Sequence, residues 1–199
     1  RARELYTNSL DIAREVGHRA SEGVSLGNLG TVYKNRGEYD LSAEHFNQAI
    51  EIAREIGHKY SEGVNLGNLG DVFSRQGRLE AAEDAFRKAI SISDVACPPA
   101  AGAFGVSLAL LLARKGLHDE AQGLLENGEL LVTPIPEEHA KFLGKKGQVQ
   151  LLAGEAKLAK ESLDHAKKLA TKHKLGDDAE VARAINELTA LLESSSVTK

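Results

Sequence analysis

Apolar residues in this chain recur at steps of three and four. Leu26, Leu29, Val32 and Tyr33 mark one face of a first helix, with Gly37 beyond its end. Ser42, Phe46, Ala49, Ile50, Ala53 and Ile56 mark a second, closed by Gly57 where a left-handed residue ends a helix. The spacing predicts two helices of about 15 residues each, joined by a short turn into an antiparallel pair. Such a pair leaves apolar surface uncovered and has to stack on copies of itself.

The copies are visible. Asp11-Ile12-Ala13-Arg14-Glu15-Val16-Gly17-His18 returns as Glu51-Ile52-Ala53-Arg54-Glu55-Ile56-Gly57-His58. Ser21-Glu22-Gly23-Val24-Ser25-Leu26-Gly27-Asn28-Leu29-Gly30 returns forty residues later as Ser61-Glu62-Gly63-Val64-Asn65-Leu66-Gly67-Asn68-Leu69-Gly70. Gly27 and Gly30 lie inside the predicted first helix, where each costs about 1 kcal/mol relative to Ala. Their return as Gly67 and Gly70 predicts close backbone approach, with Ala49 and Ala89 opposite and Phe46 and Phe86 filling the space beside them.

The second half repeats less regularly. Aligning Gly116 with Gly77 gives Leu108-Ala109, Leu112, Ala121 and Leu125; aligning Gly154 gives Leu143, Gly147, Ala159, Leu163 and Ala166. Pro98-Pro99 and Pro134/Pro136 fall between units, where they interrupt helices. Val181, Ala184, Ile185, Leu188, Leu191 and Leu192 predict one further amphipathic helix from Asp178 to Leu192.

These residues resemble the tetratricopeptide repeat family. Its order of bulky residue, Leu-Gly, aromatic, Gly, Ala, aromatic and Ala is met by Leu26, Leu29-Gly30, Tyr33, Gly37, Ser42 (departing from Ala), Phe46 and Ala49. The next unit supplies Leu66, Leu69-Gly70, Phe73, Gly77, Ala82, Phe86 and Ala89. The forty-residue spacing with Gly-Asn-Leu-Gly is similar to Leu-Gly-Asn-type repeats of polarity adaptors and bacterial signalling proteins. In the fourth unit, Lys146 and Gln150 stand where Leu and an aromatic belong. The resemblance implies an all-α fold, a right-handed α-α superhelix (a solenoid) of about ten antiparallel helices. It divides residues 1–199 into a second helix of a truncated repeat (1–17), repeats 20–57 and 60–97, degenerate repeats 100–133 and 137–175, and a capping helix 178–193.

In this family the first helices line a concave face where ligands lie. Carried over unit by unit, that face holds Asn28, Thr31, Lys34 and Asn35, then Asn68, Asp71 and Arg75, then Ser107 and Arg114, then Lys141, Lys145 and Gln148, all expected to be exposed. An Asn side chain both donates and accepts, so it can grip a peptide backbone with little regard to sequence. The family's chaperone-type carboxylate clamp is not intact: Gly27 and Thr31 occupy its Lys and Asn positions, and Gly67 and Asp71 also depart from it. Asn68 fits its middle Asn. Heat-shock chaperone tails are therefore not the expected ligand.

Composition narrows the chemistry. A net charge of −4 and a pI near 6.0 argue against a general nucleic-acid binder. Cys97 is alone, which excludes a disulfide framework and fits a reducing, cytoplasmic setting. No apolar run is long enough to cross a bilayer. The chain starts at Arg1 and contains no Met, so it reads as a segment of a longer protein. The seven histidines include no His-x-x-x-His pair; His18 and His58 recur with the repeat in a turn role, and His165 and His173 are too far apart on one helix to share an ion. No metal, no cofactor and no active site are expected.

The expected function is a non-catalytic scaffold binding a peptide or protein segment. The alternative is the regulatory arm of a larger bacterial signalling protein, such as a kinase, cyclase or transcription regulator. Lys141, Lys145, Lys146, Lys157, Lys160, Lys167, Lys168, Lys172 and Lys174 outnumber Glu155, Glu161 and Asp164 in their stretch. Such a run is ordinarily a solvated face; salt-dependent binding would make it a docking patch for an acidic partner or nucleic acid. Leu5 and Ile12 lack a preceding helix in the repeat scheme, which predicts weak end-to-end self-association.

Overall fold

The computed structural model describes residues 1–197, and among them there are ten α-helices and no strand. The first five are α1 (Ala2–Glu15), α2 (Arg19–Asn35), α3 (Tyr39–Glu55), α4 (Lys59–Arg75) and α5 (Leu79–Ala96). Then come α6 (Pro98–Arg114), α7 (His118–Val132), α8 (Pro136–Leu152), α9 (Ala156–Lys172) and α10 (Ala179–Val197), with a 3-10 turn at Leu175–Asp177 before α10. The helices gather into two compact units, residues 1–100 and residues from 101 onward. Within each unit neighbouring helices pack pairwise, as the apolar spacing predicts.

Local chemistry sets the helix ends. At the end of α2, Gly37 takes φ +77° and Glu38 N–H donates to Tyr33 O at 3.0 Å, a closing bond repeated by Arg78 N–H to Phe73 O after Gly77. At that φ a side chain would crowd the backbone, so glycine ends these helices without strain. Lys174 performs the same reversal after α9 at φ 56°, the single non-glycine residue with positive φ among the described residues. The turn histidines act as helix caps, since Nδ1 of His18 and of His58 accepts the Ser21 and Ser61 backbone N–H at the starts of α2 and α4. Two of the prolines begin helices as well as separating units. Pro98 and Pro136 are the first residues of α6 and α8, where the missing N–H leaves no bond unmade.

In the first unit, Leu10, Leu26, Leu29, Ala49 and Ile52 form one core cluster, with Tyr6 and Tyr33 against it. Phe46 and Phe86 are fully buried, each stabilising its pair by about 2–3 kcal/mol through the apolar area it removes from water. The glycines of the repeat do mark close approaches, and Phe46 and Phe86 fill them, although Ala49 and Ala89 are not the residues directly opposite Gly30 and Gly70. A Cβ on Gly30 would stand 2.8 Å from two ring carbons of Phe46, and Gly70 meets Phe86 in the same way. It is the aromatic ring itself, with Ala49 elsewhere in the core, that requires glycine. Gly27 faces a different helix, since its Cβ would lie 2.7 Å from Asn65 Oδ1 on α4. Ser42, the departure from Ala, is buried and donates to Gly30 O at 2.7 Å. Ile56, expected in the core stripe, is 41% exposed because it follows the last turn of α3. Leu5 and Ile12 on α1, and Val16 just after it, are exposed.

In the second unit, α6 and α7 meet through two glycines. A Cβ on Gly102 would fall 2.6 Å from Gly128 O, and Gly128 itself leaves room for the Phe142 ring. Gly144 and Gly147 of α8 do the same for α10, where Ala184 and Leu188 occupy the space. The two departures in this unit are absorbed by polar contacts. Lys146 Nζ reaches Glu129 Oε2 at 2.5 Å, and buried Gln150 accepts from Ser162 Oγ at 2.8 Å.

Candidate partner-binding site

Each unit presents a row of polar side chains on its first helices. In the first unit, α2 carries Asn28, Thr31, Lys34 and Asn35, and α4 carries Asn68, Asp71 and Arg75. The close passage of α2 and α4 at Gly27 and Asn65 brings the two rows together. Lys34 Nζ donates to Asn68 Oδ1 at 2.7 Å and lies 3.9 Å from the Asp71 carboxylate. Asn68 Nδ2 donates to Val64 O, and Thr31 Oγ1 donates to Gly27 O. Asn28, Thr31, Lys34, Asn68 and Asp71 are half-buried, whereas Asn35 and Arg75 at the helix ends are exposed. A half-buried side chain already held by a neighbour loses little freedom when a ligand arrives, which lowers the entropic cost of binding.

In the second unit the expected row is only partly a surface. Ser107 and Gln148 are 7% and 8% exposed, not open as the repeat pattern implied. Ser107 Oγ accepts from Lys145 Nζ at 2.6 Å and donates to Ala103 O, so the packing of α6 beside α8 consumes it. Lys141 is surrounded by carboxylates, with Glu138 at 2.6 Å, Glu137 at 3.1 Å and Glu180 of α10 at 3.4 Å. Burial works against its charge, but these neighbours more than compensate and keep the ammonium protonated well above its ordinary range. Arg114 is exposed at the end of α6.

Two polar constellations escape the sequence pattern. Glu22 and Glu62 recur at the same repeat position and are buried, at 8% and 5% exposure. Arg14 and Arg19 hold Glu22 at 3.0 and 2.6 Å; Arg54 and Lys59 hold Glu62 at 2.8 and 2.7 Å. Burial pushes both carboxyls up, but the hydrogen bonds from the two cations outweigh it and leave both below the usual range. The visible signal was the recurring Arg-Glu pair eight residues apart. The second constellation joins α7, α8 and α9. Buried His139 lies 3.2 Å from Glu129 Oε1, and its ring stands edge-on to His165 at 5.1 Å. The hydrogen bond from His139 and the contact from Lys146 hold the Glu129 carboxyl at about 2 despite its burial. Partial loss of solvent, followed by the proximity of His139, lowers His165. His165 thus neighbours His139 on another helix rather than His173. Among the described residues no group of three or more His, Cys, Asp or Glu is arranged to hold a metal ion. Likewise, no helix there is long and apolar enough to cross a membrane.

Comparison with known proteins places this arrangement. The family model for the tetratricopeptide repeat matches residues 1–55 and 23–94. No curated protein sequence matches the chain. Among solved structures, BtubC (BKLC) from P. vanneervenii shares the fold with a TM-score of 0.68 at 20% identity, over 86% of this chain and 72% of that one. The kinesin light chain nearly identical TPR-like repeats from Podosopora anserina align with a TM-score of 0.61 at 16% identity, over 86% of both chains. The apo form of RapI aligns at 0.66 and 22% identity, over 87% of this chain and 62% of RapI. Over residues 1–94 the chain belongs to the tetratricopeptide repeat family, and the same helical repeat fold continues through most of the remainder.

Proposed function

We propose that the chain is a non-catalytic scaffold that binds a peptide or protein segment along the polar face of its first helices. Repeats of this family are generally protein-interaction modules, and the row on α2 and α4 is suited to that role. The observation that carries the reading is the ordered set of Lys34, Asn68 and Asp71, linked across two helices and half-buried. Their amide, ammonium and carboxylate groups match the donors and acceptors of an extended backbone and its side chains. The same mechanism serves whether the array acts alone or as the arm of a larger regulator.

The test is affinity capture with the wild-type chain and with the Asn28→Ala/Asn68→Ala variant. Circular dichroism checks that the variant folds, since Asn68 also accepts from Lys34 and donates to Val64 O. Loss of the same captured proteins, together with a weaker direct titration of one of them, is the expected result. Identical capture by both proteins would move the ligand to another face.

A further inference from the structure

We infer that the outer face of α9 is a second docking surface, separate from the α2–α4 row, for a narrow acidic polypeptide segment. The helix buries Ala159, Ser162, Leu163 and Ala166 against its neighbours and turns Lys157, Lys160, Lys167, Lys168 and Lys172 to solvent. At 100° per residue these five lysines fall within an arc of about 140°, along about 22 Å of helix. Two carboxylates, Glu161 and Asp164, share that arc, leaving a surplus of positive charge, and exposed Lys174 extends it past the helix end.

The structure separates these lysines from the others in the basic stretch. Lys141 and Lys146 meet carboxylates within 4 Å, and Lys145 meets Ser107. Elsewhere Lys34, Lys59 and Lys88 are also paired. None of the five α9 lysines lies within ion-pair distance of a carboxylate among the described residues. Their charge is not used to hold the fold. That makes it available to a partner.

The chemistry of the face selects the kind of partner. It holds lysines and no arginine, so it offers point charges on flexible stems rather than planar forks for phosphate. It carries no Phe, Tyr or Trp on which a base could stack. Positive charge concentrates on α9, because α10, packed against it, exposes Glu180, Glu187 and Glu193 with Arg183. On α7 of the same unit, Asp119, Glu120 and Glu126 are also exposed. With a net charge of −4, the chain repels a broad polyanion such as a duplex or an anionic bilayer. A single acidic strand or helix laid along α9 meets five lysines and only two acids, Glu161 and Asp164.

Fluorescence anisotropy with a labelled oligoglutamate of about twenty residues, at about 50 and 200 mM salt, tests this. The comparison protein is Lys157→Gln/Lys160→Gln/Lys168→Gln/Lys172→Gln, whose changes are all at exposed positions and whose folding circular dichroism verifies. Expected are binding by the wild type that weakens about tenfold or more between the two salts, and a loss of about tenfold or more in the variant at low salt. Asn28→Ala/Asn68→Ala should bind the probe unchanged, which separates this surface from the first-helix row. No binding by the wild type, equal binding by the lysine variant, or loss in the asparagine variant would each overturn the inference. So would tighter binding of a duplex DNA or of phosphatidylserine vesicles than of the oligoglutamate.

Discussion

Replacing Gly30 by Ala sets two opposed effects against each other, and the structure decides the sign. Gly30 lies inside α2, where Ala is the better helix former by about 1 kcal/mol. The added methyl would sit 2.8 Å from two carbons of the Phe46 ring and 3.0 Å from a third. Carbon atoms prefer separations of about 3.5–4.0 Å, so the overlap is more than half an ångström. Phe46 is completely buried and cannot swing into solvent to yield. Overpacking of this kind costs about 1–3 kcal/mol. With three ring atoms involved, the upper part of that range applies, and the net loss is about 1–2 kcal/mol. For a unit of about 100 residues the thermal midpoint should fall by about 5–10 °C, read by far-ultraviolet circular dichroism. Gly123→Ala supplies the contrast: it is also inside a helix, but no atom would lie within 4 Å of its Cβ, so it should stabilise by up to about 1 kcal/mol. In a Phe46→Leu background the cost of Gly30→Ala should shrink by about 1 kcal/mol, because the ring that receives the methyl is gone. A Gly30→Ala protein at least as stable as wild type, or an equal cost in both backgrounds, would refute the argument.

Other outcomes follow from the turns and the buried charges. Gly77→Ala forces a side chain into a backbone at φ +74° and should destabilise by about 1–2 kcal/mol in urea unfolding, although its Cβ would touch nothing within 4 Å. Glu62→Gln leaves Arg54 and Lys59 without their buried counter-charge and should cost about 1–3 kcal/mol, measured as a lower urea midpoint at pH 7. Glu129 predicts an acid dependence. Its carboxyl falls from the ordinary 4.5 to about 2 in the folded chain, so its contribution is complete above pH 4.5 and is lost as the pH falls towards 2. That contribution is about 2 kcal/mol after discounting for partial solvent access. Urea midpoints at pH 6 and pH 3 should therefore differ less for Glu129→Gln than for wild type; an unchanged difference would count against the His139–Glu129–Lys146 network.

Helix positions and pairing were legible in the chain because they follow from contacts near in sequence. The three-and-four spacing of Leu26, Leu29 and Phe46, the turn glycines at 37 and 77, and the recurrence of whole segments specify hairpins without reference to anything distant. In the first unit the repeat carries Asn28 to Asn68 and puts both on first helices, but their half-burial and the link from Lys34 to Asn68 were not legible there. In the second unit the same inference failed at Ser107 and Gln148, where the residue type is polar but the neighbouring helices close over it. Nor does periodicity separate the lysines of α8, which find Glu129, Glu138 and Glu180, from those of α9, which find none among the described residues.

What the sequence determined by itself is thus the repeating all-helical fold: hydrophobic period, helix-ending glycines and capping residues act over a few positions and leave one consistent answer. Tertiary structure alone decided that Gly27 makes room for Asn65, that Glu22 and Glu62 are buried between paired cations, and that His139 meets Glu129 and His165. Burial and charge pairing depend on which distant helix arrives at a given face and how closely. That is a property of packing in three dimensions, and no local pattern encodes it.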